Sequence, residues 1–379
     1  RYWAVVEFNR ITDPETGERP RRRHGIGSYR TKAEAELAIE NAKEMAKRGW
    51  QGPSSMTVAD YLRTVWLPGL TMDHSPTTCA LYNTISESYL IPNIGGITLE
   101  DLTSADLTKL YAGLLDHGGR PHPDGSPRGL APKTVRSAHT TIRRALQDAV
   151  EEQPPRLAWN AAASAKAPKV KNTRDPAHWT AAQVRTFLEH IAEDRLAALW
   201  ITAANTGLRR GELVGLRWQD IDLNREQLTV RQTRVAYGKQ TWTKEPKTLR
   251  SRRTIPIPAI VVVALERHAE IQAMEKSFAA SAYADQGYVF ADEIGDPLAP
   301  AWVSSTFVRR VKQAGLPRIS LHGLRHSFAT VALEAGVDVL YVSELLGHST
   351  PTITMNVYQH VRRERLEGAV NTISEAIHG

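Results

Sequence analysis

Residues 154–178 carry Pro154, Pro155, Pro168 and Pro176 around the small-residue run Ala161 to Ala163. Proline lacks a backbone donor, and the residue before it avoids the helical region. No helix or sheet interior is expected to cross such a stretch. The chain is therefore read as separately folded parts joined by a linker over 154–178. Its 379 residues agree, since domains run to roughly 100–200 residues. At 41% hydrophobic residues a sizeable core is available and wholesale disorder is excluded. The single cysteine, Cys79, excludes an internal disulfide framework and a cysteine-built zinc cage, and fits a reducing compartment. No apolar run is long enough to span a bilayer, and no signal-peptide pattern opens the sequence. A cytoplasmic location is expected. The sequence opens on Arg1 rather than methionine, so further residues are expected upstream.

Before the linker, residues 2–8 read as a strand and 19–29 as a returning strand. Thr31 and Glu34 form a capping-box pattern for a helix to about Arg48. Residues 57–152 read as helices: one capped by Thr57, one opened by Pro76, one from Asp101 to Leu115, and one over 133–151. The last has Val135, Ala138, Ile142, Ala145, Leu146 and Ala149 at helical spacing. A Gly/Pro-rich loop occupies 117–132. After the linker the pattern is mixed. Helices are predicted at 180–192 and 194–205, strands near 227–235, 240–245 and 252–257, and helices again from 258. Trp200, Trp218 and Trp302 are expected in the core.

Lys+Arg total 48 against 41 Asp+Glu, a formal charge of +7. That excess permits a nucleic-acid partner without requiring one. Arg19, Arg21, Arg22 and Arg23 cluster on the second predicted strand. Lys166, Lys169, Lys171 and Arg174 cluster on the linker with no acid between them. Arg136, His139 and Arg143 recur at i, i+3 and i+7 on the 133–151 helix. Each group reads either as a row facing phosphates or as a solvated face.

Four segments need one joint explanation: T-G-L-R-R-G-E-L at 206–213, P-K-T-L-R-S-R-R-T-I-P at 246–256, L-H-G-L-R-H-S-F-A-T at 321–330, and L-G-H-S at 346–349 followed by M-N-V-Y-Q-H at 355–360. Together they resemble the tyrosine recombinase, or phage integrase, family over roughly residues 176–379. The look is nearest to integrases of actinobacterial phages and integrative elements. Specificity lies in the ordered set Arg209, Lys247, His322, Arg325, His348 and Tyr358. Each member alone has an ordinary reading: a helix-start arginine, a helix cap, an amphipathic-helix tyrosine. Lys244 competes with Lys247, and the P-K-T context favours Lys247.

Chemistry explains why such a set belongs together. Attack on a phosphodiester builds negative charge at phosphorus, which positioned cations stabilise. The resemblance implies that Arg209 and Arg325 grip the non-bridging oxygens, a task suited to a guanidinium fork. It implies Tyr358 as nucleophile, forming a 3′-phosphotyrosine. His322 is the candidate base, Lys247 the candidate acid for the leaving 5′-oxygen, and His348 a phosphate hydrogen-bond partner. Glu212, one helical turn after Arg209, is expected to orient Arg209 or a neighbour. His326 is read as structural. No metal, cofactor or ATP is implied.

The expected fold is α+β and multidomain. An αβ arm-site-binding module spans 1–52, an all-α core-binding domain 56–153, the basic linker 154–178, and a mainly α catalytic domain with a small antiparallel sheet 179–379. Leu366, Val370, Ile373 and Ile377 pattern a tail helix expected to dock on a neighbouring protomer. The implied activity is integration and excision of a mobile element. The implied partners are double-stranded DNA at core and arm sites, a homotetramer working through a Holliday junction, an excisionase and a DNA-bending host factor, with no membrane. The protein is expected to be nucleoid-associated. Two alternatives remain on the same scaffold: a type IB topoisomerase-like relaxing enzyme, and a non-catalytic DNA-binding regulator. A metal-dependent nuclease lacks an obvious carboxylate cluster.

Overall fold

The computed structural model describes residues 2–8, 22–29, 31–47, 55–170, 177–237, 240–244 and 252–348, with isolated positions at 350, 355, 374 and 377–378. Lys247, Tyr358, Lys171, Arg174, Arg19, Arg21 and most of the 366–377 tail lie outside the described residues. The chain divides into two compact units, Arg1–Asn172 and Thr173–Gly379.

In the first unit, strands β1 (Tyr2–Phe8) and β2 (Arg22–Tyr29) pair antiparallel, with Glu7 opposite Arg23 and Phe8 opposite Arg22. Helix α1 (Lys32–Lys47) packs Ala42 and Met45 against Val6. Its start is the expected capping box: Thr31 N–H donates to Glu34 Oε2 and Glu34 N–H to Thr31 Oγ1, both at 3.2 Å. The helical part contains α2 (Pro76–Ile85), α3 (Ser104–His117) and α4 (Pro132–Glu151). Helix α3 begins at Ser104 and not at Asp101, because Thr103 and Asp106 form the capping box that fixes its first turn. The apolar face of α4 (Val135, Ala138, Ile142, Ala145, Leu146 and Ala149) is fully buried among Tyr61, Leu62, Leu90 and Leu107.

Two sequence expectations change here. The front of the 154–178 stretch is part of this unit: Leu157, Ala161 and Ala162 are buried in the helical core. Asn160 Nδ2 donates to Arg143 O at 2.8 Å, and the backbone N–H of Arg156 donates to Ala149 O at 2.9 Å. Small apolar residues between prolines fill the end of α4 here. Secondly, His139 differs in burial from Arg136 and Arg143, its neighbours along α4. Those two arginines are exposed. His139 is buried, its Nδ1 3.0 Å from Tyr111 Oη, because position 139 adjoins the apolar stripe.

The second unit contains α5 (Ala181–His190), α6 (Ala197–Thr206), the short α7 (Arg210–Leu213), strands β3 (Ile221–Asp222), β4 (Gln227–Val230), β5 (Thr233–Tyr237), β6 (Gln240–Lys244) and β7 (Arg253–Pro256), then α8 (Ala259–Ala279), α9 (Pro300–Gln313), α10 (Leu321–Glu334) and α11 (Val339–Leu346). The predicted strand at 227–235 is two strands in two sheets. The described strands form an antiparallel β3-β4-β7 sheet and a β5-β6 hairpin. Trp179, Phe187, Trp200 and Phe307 stack into an aromatic core, with centroids 5.3–5.9 Å apart. Trp218 packs against this core and donates to Gln272 Oε1 at 2.6 Å. Trp302 departs from expectation. It is 44% exposed, because Val303 and Phe307 take the inner face of α9.

Candidate active site

Helix α6 ends at Thr206 because Gly207 adopts the left-handed conformation, φ 59°. A Cβ at 207 would sit 2.6 Å from Leu346 Cδ2 and 2.7 Å from Phe328 Cδ1, so glycine is also the residue that fits. The turn aims the Gly207 carbonyl inward. Helix α11 ends the same way, at Gly347 with φ 64°. The His348 N–H donates back to Ser343 O at 3.0 Å and the Gly347 N–H to Glu344 O at 2.9 Å. This αL ending leaves the carbonyls of residues 345 to 347 for other donors.

Arginines take them. Arg253 Nε donates to Leu345 O at 2.8 Å, Arg325 Nη2 to Leu346 O at 2.7 Å, and Arg209 Nη2 to Gly347 O at 2.7 Å. Arg325 Nη1 also donates to Gly207 O at 2.7 Å. Arg325 is thus clamped between two helix C-termini, whose partial negative charge favours a cation. It is 4% exposed. Burial, then the neighbouring charge of Arg209, pushes the Arg325 guanidinium down to about 9. Arg209 caps α7: its N–H donates to Glu212 Oε2 at 3.0 Å and its Nη1 to Glu212 Oε1 at 2.8 Å. Its side chain remains 39% exposed.

Glu212 is 6% exposed and serves a second arginine. Arg253 Nη1 lies 3.2 Å from Oε1 and Nη2 3.0 Å from Oε2. Burial alone would raise this carboxyl. The Arg253 hydrogen bonds and charge, then Arg209, hold it below the ordinary carboxylate range. Sequence reasoning did not single out Arg253. The available signal was strand alternation: Ile255 on β7 is buried, so Arg253, two residues earlier, points to the same inner face. An arginine placed there needs a carboxylate.

The imidazoles lie on the same side. Ser320 caps α10, accepting from Gly323 N–H at 3.0 Å, and so sets His322 and Arg325 one turn apart. The His322 and His326 rings meet edge to face at 4.7 Å. Partial desolvation, then Arg325 and Arg209, lowers His322 below the usual imidazole range. Burial, then Arg325 and Arg209, pushes His348 down to about 4. Burial and His322 push His326 to about 4. Burial and the neighbouring cations thus disfavour the protonated form of each imidazole.

Arg209, Arg325, Glu212, His322 and His348 are thus gathered into one cluster from α7, α10 and the α11 end. Lys244 ends β6 opposite Thr233, while Lys247 lies outside the described residues. Arg22 and Arg23 lie on β2, and Lys169 is exposed in the first unit. Residues 178–365 match the model of the phage integrase family.

The chain is a tyrosine recombinase of the phage integrase family. It is a DNA recombinase, and its fold is the mainly helical integrase fold with small antiparallel sheets. It is 29% identical over 365 residues to a XerC-like tyrosine recombinase of Caldanaerobacter subterraneus, covering 91% of this chain and 90% of that one. Among solved structures, it is similar to the Tn1549 transposon integrase in complex with a circular intermediate DNA. That likeness has a TM-score of 0.65 at 22% identity, over 82% of this chain and all of the other. It is also similar to a lambda integrase tetramer bound to a Holliday junction, with a TM-score of 0.58 at 19% identity, over 92% and 91% of the two chains. Neither the relaxing enzyme nor the non-catalytic regulator is favoured by these relatives. No described helix of this tyrosine recombinase is long and apolar enough to cross a membrane.

Proposed function

We propose that the enzyme integrates and excises a mobile element by two transesterifications at one phosphate. The supporting observation is the convergence of Arg209 and Arg325 on consecutive carbonyls of one helix end, with His322 close enough to feel both charges. Arg209 and Arg325 stabilise the charge on the non-bridging oxygens, and His348 hydrogen-bonds the same phosphate. The Tyr358 oxygen attacks phosphorus and its proton passes to His322. The bond from phosphorus to the 5′-oxygen breaks, and Lys247 protonates the leaving oxygen. The 3′-phosphotyrosine keeps the bond energy, so a 5′-hydroxyl from another strand attacks it and restores the tyrosine. Neither step consumes ATP.

By likeness to the lambda integrase tetramer, the active assembly is a homotetramer acting through a Holliday junction. The tail carrying Leu366, Val370, Ile373 and Ile377 docks on the neighbouring protomer. Residues 1–52 hold arm sites through Arg21, Arg22 and Arg23. Residues 56–153 and 179–379 hold the core site, joined by the basic stretch with Lys169 and Lys171. An excisionase and a DNA-bending host factor set the direction, and the assembly works on nucleoid DNA.

Covalent trapping tests the reading. Wild type and Tyr358→Phe are incubated in EDTA with nicked suicide duplexes carrying candidate attachment sequences. An EDTA-resistant adduct formed by wild type alone is expected. Its absence on a site that the protein binds tightly would overturn the proposal.

A further inference from the structure

We infer that Arg253 is a positioning residue for strand cleavage, acting through Glu212 and the α11 end to fix Arg209. The inference rests on the catalytic reading of Arg209 above. Its basis is that Arg253 touches each group that holds Arg209 in place. Its two terminal nitrogens span the carboxylate of Glu212, at 3.2 and 3.0 Å. That carboxylate holds both the backbone and the side chain of Arg209. Its Nε holds Leu345 O, two residues before the Gly347 carbonyl that takes Arg209 Nη2. It also lies beneath Gly347, where an added Cβ would approach Nη1 to 2.8 Å. Arg209 is therefore held on two sides, and both sides rest on Arg253.

Arg253 is committed to protein partners in this geometry. Its side chain is 8% exposed, whereas that of Arg209 is 39% exposed. Both guanidiniums bind protein groups, and Arg209 is the one that keeps exposed side-chain surface. The backbone adds a second link. Arg253 pairs with Val230 at the start of β7, six residues after Lys247 in the chain. A lysine at 253 would keep the charge, but one ammonium cannot span both Glu212 oxygens and Leu345 O together. Arg209 would then lose its fixed aim. Misplacement of about 1 Å costs on the order of 100-fold in rate.

An ordinary buried ion pair would predict something else, namely lost folding with no selective effect on chemistry. The experiment compares Arg253→Lys with wild type on a suicide duplex that wild type cleaves. It reads the rate of adduct formation at saturating DNA, the Kd for the same duplex, and the melting temperature. The expected result is a rate about 100-fold lower, with Kd within about 3-fold of wild type and its salt slope unchanged, since total charge is unchanged. An undiminished rate overturns the inference, as does a loss seen equally in Kd. Should Arg253→Lys not fold, Glu212→Asp replaces it. That variant keeps every charge but shortens the carboxylate's reach, and the same loss confined to rate is expected. Failure of wild type to form any adduct would instead count against the proposed function, so the two failures are separable.

Discussion

Arg325 bridges the ends of two helices, donating to Gly207 O and to Leu346 O at 2.7 Å each. Residues 207 and 346 are far apart in the chain, and one planar guanidinium fixes their separation. On the proposed reading, the cation is thereby preorganised for a phosphate, with little reorganisation left for the transition state. A fork of fixed geometry can do this, whereas a point charge cannot.

Arg325→Lys should therefore lose both chemistry and stability. At least one of the two buried carbonyls is left without its donor, at a cost of about 1–3 kcal/mol. Adduct formation on a suicide duplex should fall at least about 100-fold. Urea unfolding and single-turnover cleavage on the same preparation measure both effects. A variant as stable and as fast as wild type would contradict the bridge.

Gly207→Ala should destabilise the second unit. The residue would have to hold φ 59° and crowd Leu346 and Phe328 below 3 Å. The expected loss is about 1–3 kcal/mol. Gly347→Ala should behave similarly, because its Cβ would meet the Arg253 guanidinium at 2.8 Å. Denaturant midpoints of both variants against wild type provide the check.

Stability should fall as pH drops from about 6.5 toward 4. His326 and His348 are each held down to about 4, against an unfolded value near 6.5. Between those values the unfolded chain binds more protons, so stability rises with pH through this window. The contribution is present above pH 6.5 and is lost toward pH 4. Glu212, whose carboxyl is also held low, adds a loss at more acid pH as it protonates. Melting curves across pH 4–7 should show the slope, and His326→Gln should flatten it. An unaltered slope in that variant would remove His326 from the account.

In the first unit, Arg136 and Arg143 differ from His139 in burial, and a difference in role is the prediction. Arg136→Ala with Arg143→Ala should reduce the slope of log K against log salt by about 2, near 0.9 for each phosphate no longer neutralised. His139→Leu should leave that slope unchanged and lower stability, because the Tyr111 hydroxyl loses its buried partner. Fluorescence anisotropy on a core duplex over a salt series distinguishes the two. Equal slopes for the arginine double variant and wild type would place those arginines away from DNA.

Periodicity located α4 to within a residue, since its apolar face repeats where a helix must bury it. The burial of His139 was not legible, because the i, i+3, i+7 spacing of Arg136, His139 and Arg143 defines a face without saying which neighbour covers its edge. Strand breaks were less legible. The 227–235 run reads as one continuous strand, and only pairing partners from 240–256 divide it between two sheets.

Sequence by itself determined the family and the order of the chemical groups, because each depends on residue type and local spacing. Helices α6 and α11 end at Gly207 and Gly347, both in the left-handed conformation. The tertiary structure alone decided where those ends point. Three consecutive carbonyls at the end of α11 meet Arg253, Arg325 and Arg209 only because β7, α10 and α7 arrive from separate parts of the chain. Buried carbonyls and cations must find partners, and such long-range pairing leaves no period in the sequence.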